Sequence, residues 1–198
     1  MNAHNLDLLL HHDAELHGGH EARRHYIGLS NISECQAVLY QRYMGTSEFL
    51  PPPVSNTMAQ YSYELEHILA TRLQRCGVYQ PGTTITLYEG LVQGHTDGWV
   101  EKSLLEIATV QLPDHFPTER IPRRKYQQIQ AYLHYTGAVN AITLYFARID
   151  GTWRAYDVPY NLKVAQQLAA KVERLVAYIK AGTPAPCTCA MAMESHVQ

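Results

Sequence analysis

The stretch Gly94-His95-Thr96-Asp97-Gly98, followed eight residues later by Glu106-Ile107-Ala108, carries the most structural information in this chain. Gly98 breaks the chain between a β-rich run at residues 84–88 and an apolar run at residues 104–110. These two runs predict two strands. Side chains alternate faces along a strand, so positions 106 and 108 point the same way. A carboxylate at 106 and a cation at 108 would share one site with Asp97. The chain has alanine at position 108.

The hydrophobic periodicity around this stretch predicts a mixed α/β domain. The expected order is αα-βββ-α-ββ-α, which corresponds to a mixed central β-sheet flanked by helices. The predicted segments are a helix from a cap at Ser30–Ser33 to about Met44, a helix at 57–76, strands at 83–90, 91–99 and 103–110, a proline-rich loop at 111–123, a helix at 124–136, a hairpin of 141–149 and 152–158, and a helix at 162–180.

Length and composition fit one domain of ordinary size among the 198 residues. We expect an N-terminal arm at 1–28, which holds six of the 11 histidines, a domain at 29–186 and a tail at 187–198. No apolar run approaches a membrane span, and Leu8-Leu9-Leu10 is too short for a signal peptide. We therefore expect a cytoplasmic protein with no membrane partner. The net charge of −2 means that nucleic-acid binding would need a local basic patch.

Three carboxylates are candidates for a metal site. Glu106 interrupts an otherwise apolar strand, and a charge in that position needs a partner or a function. On the helix at 57–76, Glu66 is favoured over Glu64 and His67 because it lies among apolar residues that should touch the sheet. Taken singly, Asp97 also fits a turn residue and Glu66 a solvated helix residue. Together they would offer the oxygen ligands that Mg²⁺ prefers.

Five motifs now appear in an order that resembles the PD-(D/E)XK nuclease superfamily, in its RecB-like and phage exonuclease-like branch. The resemblance spans roughly residues 28–187, and the order of the motifs and of the elements between them makes it fairly specific. The motifs are the Ser-x-Ile-x-x-Cys start at 30–35, the helix ending in an acid at 61–66, the strand end with a second acid at 94–98, the Glu-x-Lys strand at 105–110 and the Q-x-x-x-Y motif at 128–132.

This resemblance implies a restriction-endonuclease-like core of order αβββαβ. It also implies that Glu66, Asp97 and Glu106, with the carbonyl oxygen of Ile107, hold one or two Mg²⁺ or Mn²⁺ ions. The metal would activate a water molecule and stabilise charge on the scissile phosphate, so the expected reaction is hydrolysis of DNA phosphodiester bonds. A homo-oligomer, or a partner in recombination or repair, is compatible with this family.

A helix and the loop before it would contact the DNA. The resemblance implies that Gln128 and Tyr132, four residues apart on one helical face, position the DNA backbone. Arg123, Arg124 and Lys125 precede them and are candidates for phosphate contacts. The alternatives are helix packing for the Gln128 and Tyr132 pair and a solvated basic loop for the three cations.

Ala108 departs from the family pattern, because the strand lysine would normally orient or activate the attacking water. Three explanations are open: an engineered inactivation, a natural pseudonuclease, or a lysine that has moved to Lys102 or Lys125. All three acids fit, which favours engineered inactivation, with Lys125 second. We therefore interpret the chain as a metal-dependent DNA nuclease in a catalytically inactivated form. The alternatives are a non-catalytic DNA-binding or partner-binding pseudonuclease, and an α/β protein in which Glu106 is merely salt-bridged.

Three cysteines lie where some RecB-like nucleases hold a [4Fe–4S] cluster, namely Cys35, Cys187 and Cys189. The third C-terminal cysteine of that pattern is missing, and the Cys-x-Cys spacing is tighter than is usual for cluster ligands. We therefore do not expect an iron–sulfur cluster.

Overall fold

A computed structural model of the chain describes residues 25–46 and 56–187. Eight strands and four helices form within these residues, and none of these helices is long and apolar enough to cross a bilayer. In chain order they are β1 (Ile27–Gly28), α1 (Gln36–Met44), α2 (Asn56–Arg75), β2 (Tyr79–Pro81), β3 (Thr84–Leu87), β4 (Val92–His95), β5 (Gly98–Val100), β6 (Ser103–Val110), α3 (Arg123–Thr136), β7 (Asn140–Ala147), β8 (Trp153–Pro159) and α4 (Leu162–Ala181).

The strands form two mixed sheets. The larger has the order β2-β5-β6-β7-β8, in which only β6 and β7 run parallel. The smaller has the order β1-β4-β3, with β1 parallel and β3 antiparallel to β4. The predicted mixed α/β architecture is confirmed. The prediction of one continuous strand at 91–99 is wrong, because β4 and β5 belong to different sheets.

The break between β4 and β5 lies at Thr96 and Asp97, where side chains bond backbone groups of neighbouring segments. The hydroxyl of Thr96 accepts a hydrogen bond from the Thr83 amide at 2.9 Å, and the Asp97 carboxylate accepts one from the Ile107 amide at 2.6 Å. Short polar side chains compete for backbone hydrogen bonds in this way and interrupt regular ladders. The chain therefore passes from one sheet to the other at Asp97.

Strand β6 separates two apolar layers. Leu105 and Ile107 pack with Leu69 of α2 on one face of the sheet. Leu104 faces the opposite way and joins the cluster that contains the buried residues of α3 and α4. Because side chains alternate along a strand, Glu106 points to the same side as Leu104, toward α3.

The three longer helices begin and end within one residue of the predicted bounds. The first helix differs from its prediction. Helix α1 begins at Gln36, so the predicted cap at Ser30–Ser33 is wrong. A 3₁₀ turn buries Leu29 and Ile32 ahead of the helix, and the buried Gln36 side chain donates to the Lys171 carbonyl of α4 at 3.1 Å. Tertiary packing therefore sets the start of α1.

Two short strands were not predicted. Strand β1 pairs Ile27 and Gly28 with Val92 and Gln93, so the last residues of the expected arm join the smaller sheet. Strand β2 forms the edge of the larger sheet, between a predicted helix and a predicted strand. The rest of the arm, the Pro51-Pro52-Pro53 run and the tail beyond Cys187 lie outside the described residues.

Candidate functional site

Asp97 is held at the junction of the two sheets by two hydrogen bonds. Its Oδ2 atom accepts from the Ile107 amide at 2.6 Å, and its backbone carbonyl accepts from the Tyr79 hydroxyl at 2.9 Å. Burial raises the pKa of Asp97, while the Ile107 amide and the charge of Lys125 lower it. The carboxylate is thus fixed beside β6, one position beyond the β5–β6 ladder, which starts at Gly98 and Leu105.

Glu106 is the most buried of the three acids, with 2% of its surface exposed. Its Oε1 atom accepts from Lys125 Nζ at 2.7 Å and from Gln128 Nε2 at 2.6 Å. Burial raises the pKa of Glu106 to about 8, with Lys125 opposing this effect and Asp97 and Glu66 adding to it. Its Oε2 atom is buried and has no hydrogen-bond partner among the described groups.

Glu66 belongs to the same electrostatic group. Burial and, to a lesser extent, the charge of Asp97 raise its pKa to about 7, against the opposing charge of Lys125. Glu64 and His67, on the same helix, are exposed. The structure therefore brings together Glu66, Asp97 and Glu106, and it places one ammonium group, that of Lys125, among them.

The donor chemistry of this group fits a hard divalent cation. Three carboxylates supply oxygen ligands, and a buried carboxylate oxygen without a partner is a costly arrangement that a cation would relieve. In the structure, however, no group of three or more His, Cys, Asp or Glu among the described residues lies in metal-holding geometry. Binding an ion would require the carboxylates to close around it.

Gln128 and Tyr132 lie on the face of α3 that covers Glu106. Gln128 Nε2 donates to Glu106 and also lies 3.4 Å from the Tyr132 hydroxyl. Tyr132 is only 2% exposed, and its ring packs so closely on Gly94 that a Cβ atom there would lie 2.8 Å from Cε1. The structure thus gives Tyr132 a contact with Gln128, and the expected contact of this pair with the DNA backbone stays a prediction.

The three cations expected to contact phosphate have different environments. Lys125 lies in the site, 23% exposed, while Arg124 donates at 2.9 Å to both Asn31 and the Glu34 carboxylate. Arg123 is exposed and, with Arg124, lines a cavity of about 560 Å³ between the segment that precedes α1 and the helices α3 and α4. Other cations lining this cavity are Lys171 and Arg174.

Position 108 has apolar surroundings. Ala108 lies on the same face of β6 as Glu106, and it packs against the buried cluster of Phe116, Tyr145 and Ala147. Tyr145 is also its register partner on β7. The strand position at which sequence analysis looked for a cation thus has Phe116 and Tyr145 as neighbours.

Tyr79, which fixes the Asp97 backbone, is the residue of this site that the sequence did not point to, beyond an excess of 14 tyrosines over three phenylalanines. Lys125 was a candidate both for DNA contact and for a lysine that has moved, but its bond to Glu106 was not predicted, although its spacing of three from Gln128 places both on one helical face. That spacing was the available signal for a shared contact with Glu106.

Cys35 and Cys187 also meet, 152 positions apart in the chain, with their Sγ atoms at 3.7 Å. Cys189 lies outside the described residues. A disulfide needs an S–S distance of about 2.05 Å, so a small shift would join the start of α1 to the segment after α4.

We expect mild oxidation with a low-molecular-weight disulfide to crosslink Cys35 to Cys187 and to raise the free energy of unfolding by about 2–4 kcal/mol, because the bond would close a long loop in the unfolded chain. Peptide mapping without reductant, together with thermal melting, checks this. Cys76→Ser, which removes an exposed thiol, should leave the effect intact, and Cys35→Ser should abolish it. An unchanged melting temperature after complete crosslinking would contradict the prediction.

The pKa of Glu106 predicts a pH dependence of stability in metal-free protein. Its pKa in the folded state is about 8, against a usual value of 4.5, so in this interval the folded state binds more protons than the unfolded state. The free energy of unfolding should therefore fall as pH rises through this window. Melting in the presence of a chelator, compared with Glu106→Gln, measures it. A free energy of unfolding that rises with pH in the wild type relative to Glu106→Gln would refute the raised pKa of Glu106.

Comparison with known proteins places this arrangement in a recognisable fold. The alkaline exonuclease from Laribacter hongkongensis is 19% identical with a TM-score of 0.61, over 81% of this chain and 91% of that one. The structure of its complex with dAMP is 16% identical with a TM-score of 0.61, over 85% of this chain and 93% of that one. A phage-related exonuclease from Haemophilus somnus 129PT is 11% identical with a TM-score of 0.58, over 77% of this chain and 92% of that one. No protein-family model matches the sequence, and no curated protein matches it significantly. These likenesses establish the fold.

Proposed function

We propose that this protein is a metal-dependent DNA nuclease that hydrolyses phosphodiester bonds, with exonuclease action on linear DNA as its mode. The observation that carries the proposal is the buried Glu106 carboxylate, with one oxygen unpartnered, beside Asp97 and Glu66. The shared fold with two exonucleases supports it, as does the dAMP bound to one of them.

In this proposal Glu66, Asp97 and Glu106 hold one or two Mg²⁺ or Mn²⁺ ions, with the Ile107 carbonyl as a further ligand. A bound ion would supply hydroxide at neutral pH and would neutralise charge on the phosphate. The protein's own groups keep the ligands in place: the Ile107 amide orients Asp97, and Gln128 orients Glu106. These contacts would limit how far Asp97 and Glu106 have to move when the carboxylates close around an ion.

A basic cavity on the face of α3 that carries Arg124 supports nucleic acid as the substrate. Arg123, at the first position of α3, lines it together with Arg174 and Lys171 of α4. Cations clustered in a concave surface attract a phosphate backbone even when the net charge of the chain is slightly negative. The Arg124 guanidinium is already paired with Glu34, so Arg123 and Arg174 are the better candidates for phosphate contacts.

A second candidate function rests on Ala108. Without a cation on β6, the chain would be an inactivated nuclease or a non-catalytic pseudonuclease that binds DNA or a protein partner. The buried acids would then serve metal-assisted binding alone.

The test is cleavage of linear and circular DNA, single- and double-stranded, with Mg²⁺, with Mn²⁺ and with a chelator. The proposal expects metal-dependent loss of linear DNA by the wild type or by Ala108→Lys. Tight metal-dependent DNA binding without cleavage by either protein would favour the pseudonuclease. Neither binding nor cleavage would remove both candidates.

A further inference from the structure

Strand β6 carries no cation, and its position 108 has apolar neighbours. Phe116 and Tyr145 fill the space beside Ala108, and an ammonium group there would lose hydration against apolar surfaces. Burial favours the protonated form of the three acids, and a cation bonded to one of them favours its charged form. Because β6 carries no cation, such a group has to come from another element.

Lys125 meets this requirement from the first turn of α3. Its Nζ atom lies 2.7 Å from Glu106 Oε1, and its charge also acts on Asp97 and Glu66. Gln128, three positions later, donates to the same oxygen, so one face of α3 presents an ammonium and an amide together. Arg124, the preceding residue, is turned away to Glu34.

We propose that Lys125 is the cation that completes this site, supplied by α3 in place of a lysine on β6. The inference rests on the proposed nuclease function. A divalent ion held by Glu106 would compete with the ammonium for Oε1, and the donors of Lys125 would then be available to hydrogen-bond the attacking water or a non-bridging phosphate oxygen. No covalent bond to Lys125 forms, and the lysine acts by hydrogen bonding and charge alone.

The first measurement is cleavage of linear DNA by the wild type, Lys125→Met and Lys102→Met. Lys102 is exposed in the turn between β5 and β6 and serves as the matched control. The inference expects kcat to fall at least a hundredfold in Lys125→Met and to stay within about twofold in Lys102→Met. DNA binding measured in Ca²⁺ should change by less than about threefold, because the loss concerns the chemical step.

The second measurement separates this role from a structural one and needs no cleavage. Lys125 competes with a divalent ion for Glu106 Oε1, so titration of DNA-free protein with Mn²⁺ alone should show several-fold tighter binding in Lys125→Met. Tighter Mn²⁺ binding together with slower cleavage supports the inference. If the lysine only stabilised the fold, its loss would weaken both properties and lower the melting temperature.

Two results would overturn the inference while leaving the proposed function in place. One is an active wild type whose kcat is unaffected by Lys125→Met. The other is a wild type that does not cleave DNA together with an Ala108→Lys variant that does. This result would show that Lys125 does not supply the cation that cleavage needs. Loss of the proposed function itself has a different signature, because neither protein would then cut or bind DNA.

Discussion

Replacing Glu106 with glutamine is expected to slow DNA cleavage by about a thousandfold. Glutamine keeps the size of the side chain, and its carbonyl oxygen can still accept from Lys125 and Gln128. The negative charge is lost, however, and with it most of the affinity for a divalent ion. A metal ion contributes several kcal/mol to stabilising a phosphoryl transition state, and each 1.36 kcal/mol is a factor of ten in rate.

The same variant should fold at least as well as the wild type. The raised pKa of Glu106 shows that its buried charge is unfavourable in metal-free protein, so the melting temperature at alkaline pH should stay level or rise. Glu101→Gln, in the exposed turn that leads into β6, is the matched control and should cleave at the wild-type rate. Full activity in Glu106→Gln would show that this carboxylate has no part in catalysis.

Gly82→Ala is expected to give the largest loss of stability, about 3 kcal/mol or more. A Cβ atom on Gly82 would lie 1.7 Å from the Thr96 carbonyl oxygen and 2.7 Å from its carbon, and both are backbone atoms that cannot rotate away. The Asp97 carbonyl carbon lies 3.1 Å away, so relief of the clash must move the junction that holds Asp97. Thermal melting should register a fall of roughly 10 °C, and cleavage should fall with it.

The control for Gly82 is Gly77→Ala. Gly77 has a φ of +73° and no neighbour within 4 Å of the added Cβ. Its substitution should therefore lower the free energy of unfolding only by the strain of an alanine in the left-handed region, about 1 kcal/mol. Both glycines are exposed, and exposure alone would predict similar tolerance. Equal melting temperatures for the two variants would contradict the close packing between Gly82 and Thr96.

Hydrophobic periodicity was sufficient to predict much of the fold, because it indicates directly which face of a helix or strand is buried. Helices α2, α3 and α4 each have an apolar face that the sheets cover, and their predicted ends lie within one residue of the observed ones. The start of α1 was not predictable in this way, because the Gln36 contact with α4 and the buried Leu29 turn depend on residues distant in sequence. The same is true of the break at Asp97, which needs Ile107 and Thr83 as partners.

The site shows a similar division. The sequence pointed to Glu66, Asp97 and Glu106 through their types and their order, and the structure brings them together. It could not show that Lys125 would bond Glu106, because that contact depends on how α3 packs over β6. Interpreted from sequence, Ala108 indicated an inactivated enzyme; the Lys125 contact is the basis of our proposal that the lysine has moved, and both interpretations stay predictions.

The central claim is that the three acids hold a catalytic divalent ion, and anomalous diffraction from crystals soaked in Mn²⁺ tests it most directly. The account predicts a peak within ligating distance of Asp97 and Glu106, with Lys125 displaced from Glu106 Oε1, and its loss in Glu106→Gln. A fully soaked crystal with no peak between these carboxylates, and with Lys125 still bonded to Glu106, would contradict the account.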